Sequence, residues 1–212
     1  MIGTKPALLS FAGVATVVGG GTGVYLLSQD KTTIRDKLDK ENIELINNVD
    51  EYEIAFKEFK DTTNYINLIK GDNDPLNASS TQKDGGLALK KWCESNLKLR
   101  LTTPNSETIT ENIKKYCSSS LLTIEAKLKR GNKSLVENWN DKLSKLKTPS
   151  DNGALLTDLK KIKKDLESLE VQDVHKVLEN WCKKQIKTRL TEDKNDAVWT
   201  KVNNRCLKQE ID

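Results

Sequence analysis

One block of this sequence occurs twice, and it limits what the chain can fold into more than any other feature. Residues 89–117 read LKKWCESNLKLRLTTPNSETITENIKKYC and residues 178–206 read LENWCKKQIKTRLTEDKNDAVWTKVNNRC. Without gaps they agree at 8 of 29 positions: Leu89/Leu178, Trp92/Trp181, Cys93/Cys182, Lys98/Lys187, Arg100/Arg189, Leu101/Leu190, Thr102/Thr191 and Cys117/Cys206. Average composition would give about two agreements. Upstream, Thr33, Ile34, Lys37, Leu38, Asn42, Leu45 and Asn48 recur 90 residues later at Thr123, Ile124, Lys127, Leu128, Asn132, Leu135 and Asn138. A tandem duplication of a unit of roughly 85–90 residues accounts for both matches. The division this predicts is a membrane anchor or signal segment over 1–28 and two units over 29–120 and 121–212.

All four cysteines lie in the duplicated block, and in each copy the second follows the first by 24 residues. Four cysteines allow three pairings. The duplication predicts Cys93 with Cys117 and Cys182 with Cys206, because each unit then closes on itself. Such a loop contributes roughly 3–4 kcal/mol in the chain-entropy account. The alternative is four buried thiols, the ordinary state in a reducing cytosol. Zinc is not expected, since its ligands usually come in close pairs such as C-x2-C. Trp92 and Trp181, three residues after Leu89 and Leu178, are predicted to be structural aromatics packed over the disulfides. Trp139 and Trp199 stand opposite Val49 and Thr110 and are the better candidates for exposure.

Residues 7–27 contain no charge. As a helix they would span about 31 Å, close to the hydrocarbon thickness of a bilayer. Two readings stay open: an uncleaved signal-anchor, or a signal peptide cut near Gly19–Gly23. The anchor is preferred, because Val24–Leu27 continue the apolar run and Tyr25 suits an interface. The basic residues Lys31, Arg35, Lys37 and Lys40 after the segment would place the remainder inside the cell. The paired cysteines argue for the outside, which is the orientation expected here.

The rest of the chain reads as all-α, in helix pairs and bundles. Apolar residues recur at helical spacing over 31–48, 50–70, 87–101, 107–117, 121–147 with a break near Gly131, and from Ala154 to Leu169, resuming at Val174. Residues 71–86 read as a long polar loop and a proteolysis site. Among 212 residues, 36% are hydrophobic and 31% charged, which suits a narrow apolar stripe under a large solvated surface. The 35 basic and 31 acidic residues are interleaved, and the basic ones are 30 Lys and 5 Arg. That balance does not point to nucleic acid.

No catalytic motif for phosphate, acyl or zinc chemistry is present. The single histidine, His175, stands opposite Gly86 and so is not part of the duplicated design. No catalytic residue, cofactor or metal is expected, and the Lys160, Lys161, Lys163, Lys164 run reads as a solvated face.

The Gly19-Gly20-Gly21-Thr22-Gly23 stretch with Tyr25-Leu26-Leu27-Ser28, the Thr33-Ile34-x-x-Lys37-Leu38 start and the Trp-Cys…Cys blocks resemble the paralogous surface and membrane protein families of haemotropic mycoplasmas. The resemblance covers most of the chain and carries no catalytic residue. It implies a membrane-anchored, antigenically diverse surface protein with a host protein as partner. These readings predict a non-enzymatic, single-pass membrane protein, held in the bilayer by residues 7–27 with its C-terminal part extracellular. A secreted thiol-dependent enzyme and an intracellular scaffold with reduced cysteines are the two alternatives. The sequence predicts no oligomeric state.

Overall fold

The computed structural model describes residues 31–71, 75–147 and 152–208. The expected bilayer segment, 7–27, lies outside the described residues. Among those described, no helix is long and apolar enough to cross a membrane.

The described chain is mostly helical. Its elements are α1 (Ile34–Lys40), α2 (Val49–Phe59), α3 (Tyr65–Ile69), α4 (Gln82–Leu97), α5 (Ser106–Tyr116), a 3-10 turn (Ser119–Leu121), α6 (Ile124–Arg130), α7 (Trp139–Leu146), α8 (Asn152–Lys160), α9 (Val174–Gln185) and α10 (Ala197–Cys206). Extended pairing among these residues is limited to isolated bridges: Thr33 with Arg100, Leu45 with Ser118, Thr123 with Arg189, and Leu135 with Leu207.

The frame of the first half recurs in the second, bond for bond. The Ile34 amide donates to Leu99 O and the Leu101 amide to Thr32 O, pinning the start of α1 to the turn after α4; Ile124 to Thr188 and Leu190 to Leu122 repeat this. Ile46 to Cys117 and Ser119 to Glu44 recur as Val136 to Cys206 and Lys208 to Ser134. The chain passes between the two sets at the 3-10 turn. Ser119 still donates to Glu44, whereas Leu122 already accepts from Leu190.

Local chemistry sets the helix ends. Thr33 and Thr123 cap α1 and α6 by accepting from the amides of Asp36 and Ala126. Asn48 and Asn138 do the same for α2 and α7. Asn42 and Asn132 hold φ of 55° and 51°, a left-handed conformation that asparagine tolerates and that stops a helix. The spacing over 31–48 therefore does not make one helix; α1 ends at Lys40. The expected helix over 50–70 is likewise two: α2 ends at Phe59, and α3 starts only after Asn64, which is left-handed at φ 63°. The run from Ala154 to Leu169 is helical only to Lys160.

The largest difference from the sequence reading lies at 82–86, predicted as loop and found as the first turn of α4. Thr81 caps that turn through the Asp84 amide. Gly85 and Gly86 are there because α4 lies almost in contact with α2. A Cβ on Gly85 would sit 2.3 Å from the Phe56 ring, and one on Gly86 would sit 2.9 Å from the Glu53 backbone nitrogen. Gly-Gly is usually a loop signal; here it is a packing surface. At the other end, α4 stops at Leu97 rather than running to Leu101.

The two halves fill similar frames differently. Around Phe56, Phe59, Tyr65 and Tyr116 the first half has an aromatic cluster, with ring centroids 4.9–6.3 Å apart. The second half places Arg205 at the position of Tyr116, immediately before the second cysteine, and builds an ion cluster there.

Candidate functional site

Cys93 in α4 is bonded to Cys117 at the end of α5, and Cys182 in α9 to Cys206 at the end of α10. The Cα atoms are 6.2 and 5.7 Å apart, within the normal disulfide range. All four sulfurs are buried, and no cysteine is free. Each bridge joins the helix carrying the Trp-Cys pair to the helix that follows it. The repeated turn is what makes this work: Lys98–Asn105 and Ile186–Asp196 return the chain so that a spacing of 24 residues closes on itself.

The tryptophans are less uniform than the repeat predicts. Trp181 is buried, with the Arg205 guanidinium 5.7 Å from its ring centroid. Trp92, its counterpart, is only half-buried, and so are Trp139 and Trp199. All three pack against the core, so Trp139 and Trp199, the better candidates for exposure, are no more than half-exposed. The Trp199 ring carries the Lys127 ammonium 4.8 Å from its centroid and that of Lys133 at 5.7 Å.

Beside Trp181 is a buried ion cluster. Asp158 accepts from Lys161, Lys201 and Arg205, each at 2.7 Å. Burial alone would raise the Asp158 carboxyl, but the three cations outweigh it and hold it at about 2. Arg205 is as enclosed as Asp158, and the buried pair ties α8 to α10. Elsewhere in the second half, the buried Lys142 ammonium donates to Leu207 O at 2.9 Å. Burial lowers its pKa, and Lys145 adds to the effect.

A charged seam joins the halves. On the first half, α2 presents Asp50, Glu51, Lys57 and Glu58. On the second, α6 and the 189–196 turn present Lys127, Arg130, Arg189, Lys194 and Asp196. Glu58 receives Lys127 at 2.8 Å and Arg130 at 2.9 Å; Lys57 meets Asp196 at 2.6 Å and Lys194 meets Asp50 at 2.6 Å. Glu51 pairs with Arg189, and the Arg130 guanidinium lies 4.8 Å from the Phe59 ring centroid. Burial pushes the Asp196 carboxyl up, but Lys57 and Lys127 bring it below its ordinary value. Of these residues only Arg189 and Lys127 stand out in the sequence, as members of the repeat; the others carry no signal beyond their charge.

A hollow of about 380 Å³ lies between α1, α2 and α4, lined by Arg35, Asp39, Glu44, Tyr52 and Glu94 among others. Its counterparts in the second half are Glu125, Lys129, Ser134, Lys142 and Lys183. The charges are nearly reversed, so one ligand would not suit both. Among the described residues no group of three His, Cys, Asp or Glu is placed to hold a metal. His175 is half-buried at the start of α9, and Cys182, seven residues on, has its sulfur in a disulfide.

Comparison with protein-family models, with curated proteins and with solved structures gave no match to this chain.

Proposed function

We propose that this protein is a non-enzymatic surface protein, anchored in a membrane through residues 7–27. Its two helical units, over 29–120 and 121–212, arose by tandem duplication and stand outside the cell for binding or immune display to a host. The observation that carries this reading is that each half closes on its own disulfide and no thiol is left over. Disulfides of this kind persist in oxidising surroundings and are rare in a reducing cytosol. They also take up the sulfurs that a thiol enzyme would need, and they disfavour a scaffold with reduced cysteines. The recurrence of the hydrogen-bond frame at offsets of 90 and 89 residues supports duplication. The resemblance to mycoplasma surface families points to the same kind of protein.

Two measurements test it. Thiol titration of the unfolded protein without reductant should give no reactive sulfhydryl, and four after reduction; four before reduction overturns the reading. Protease added to intact cells should remove the helical part, and full protection of that part in intact cells would place it inside.

A further inference from the structure

We propose that the seam between the halves is a clasp that opens, and that the two halves swing apart as closed bodies about Ser120 and Leu121. Each half is built without help from the other. The helices pack on helices of their own half: α1, α2, α3 and α5 on α4, and α7, α8 and α10 on α9. Each disulfide lies within one half. No backbone hydrogen bond between described residues runs from 31–117 to 122–208.

The pivot is short. Ser119 is tied to Glu44 and Leu122 to Leu190, which leaves Ser120 and Leu121 between the two frames. Ser120 is exposed. A hinge needs only a few such residues to take up a change in φ and ψ. Leu121 O accepts from Arg130 at 2.7 Å. Arg130 also reaches across the seam to Glu58 at 2.9 Å, so the pivot and the clasp share a residue.

Every side-chain hydrogen bond that crosses among the described residues joins opposite charges: Glu58 with Lys127 and Arg130, Lys57 with Asp196, Asp50 with Lys194, and Glu51 with Arg189. Such a contact is reversible, because ions parted by opening regain their water, and this offsets much of the lost attraction. Glu51 and Glu58 have side chains only 9% and 8% exposed while the seam is closed. The open form therefore presents an acidic face on α2 and a basic one on α6 that the closed form hides. Buried apolar side chains form one set through both halves, so the competing expectation is a fixed joint.

The test uses full-length protein in neutral detergent carrying Asp50→Cys and Lys194→Cys. The native side chains there meet at 2.6 Å and are each 58% exposed, so a short bis-maleimide links the pair within one chain while the seam is closed. The native sulfurs are bonded and do not react. Adding Glu58→Arg sets another cation against Lys127 and Arg130. It should lower the linked fraction several-fold, read by peptide mass, with helical signal and both native bridges intact. Glu58→Arg together with Arg130→Glu restores opposite charges across the seam and should recover most of the linked fraction. An unchanged fraction in Glu58→Arg overturns the proposal, since apolar contact then fixes the joint. So does a fall that the exchanged pair does not recover. Loss of helix in the single variant overturns it too, because the halves would then not stand without the clasp.

Discussion

Replacing Asp158 with asparagine removes one charge from the ion cluster beside Trp181 and barely changes its shape. The variant leaves Arg205 buried, with a side chain 5% exposed, opposite a neutral amide. Stripping one partner from a buried ion pair costs about 3–5 kcal/mol. Lys161 and Lys201 have side chains 64% and 43% exposed, and they turn to water at little cost. The loss should therefore fall near the lower end, about 3 kcal/mol. There is also a pH signature. Asp158 is held at about 2 against an ordinary 3.8. Its contribution, about 2 kcal/mol, is complete above the unfolded value and lost as pH falls through the folded one. Urea unfolding followed by circular dichroism, at neutral pH and stepwise from about pH 5 to 2, measures both. A variant within about 0.5 kcal/mol of the parent at neutral pH, or one with an unchanged acid limb, would refute the argument. Asp158→Leu with Arg205→Met removes both charges, and should recover much of what the single change loses.

Gly86→Ala gains about 1 kcal/mol in helix propensity but drives a methyl to 2.9 Å from the Glu53 backbone. Thermal melting should show net destabilisation of about 1–3 kcal/mol, and a raised Tm would mean that α2 and α4 have room to part. Cys182→Ser with Cys206→Ser should lower unfolding free energy by roughly 3–4 kcal/mol, read by urea titration; an unchanged midpoint would mean the bridge is not formed. Lys142→Met exchanges a buried ammonium for an apolar chain of similar length, so stability at neutral pH should hold or rise by about 1 kcal/mol. A loss above about 2 kcal/mol would show that the bond to Leu207 outweighs the burial of charge.

The disulfides were legible because they rest on rare residues at fixed spacing, and Trp-Cys twice with equal intervals leaves few alternatives. Helix limits were less so. Asn42 and Asn132 stop helices through left-handed backbone, and Asn64 in the same conformation precedes the start of one, which apolar periodicity does not register. Gly85 and Gly86 misled for the opposite reason, since their use depends on Phe56, about 30 residues away in sequence. The seam was invisible because Asp50, Lys57, Glu58 and Lys194 look like any solvated charge until the halves are set side by side. Trp92 and Trp181 share a sequence context but not a burial, and only Trp181 has a guanidinium, that of Arg205, beside its ring.

The bridges between Thr33 and Arg100 and between Thr123 and Arg189 matter if one end of the chain is tethered and the other is pulled. Tension entering at residue 31 reaches the 97–101 turn before it can unwind α1. Behind that latch, the covalent loops of 24 residues each cannot lengthen at all. A stretched molecule would fall about 160 Å short of its contour length until the sulfurs are reduced.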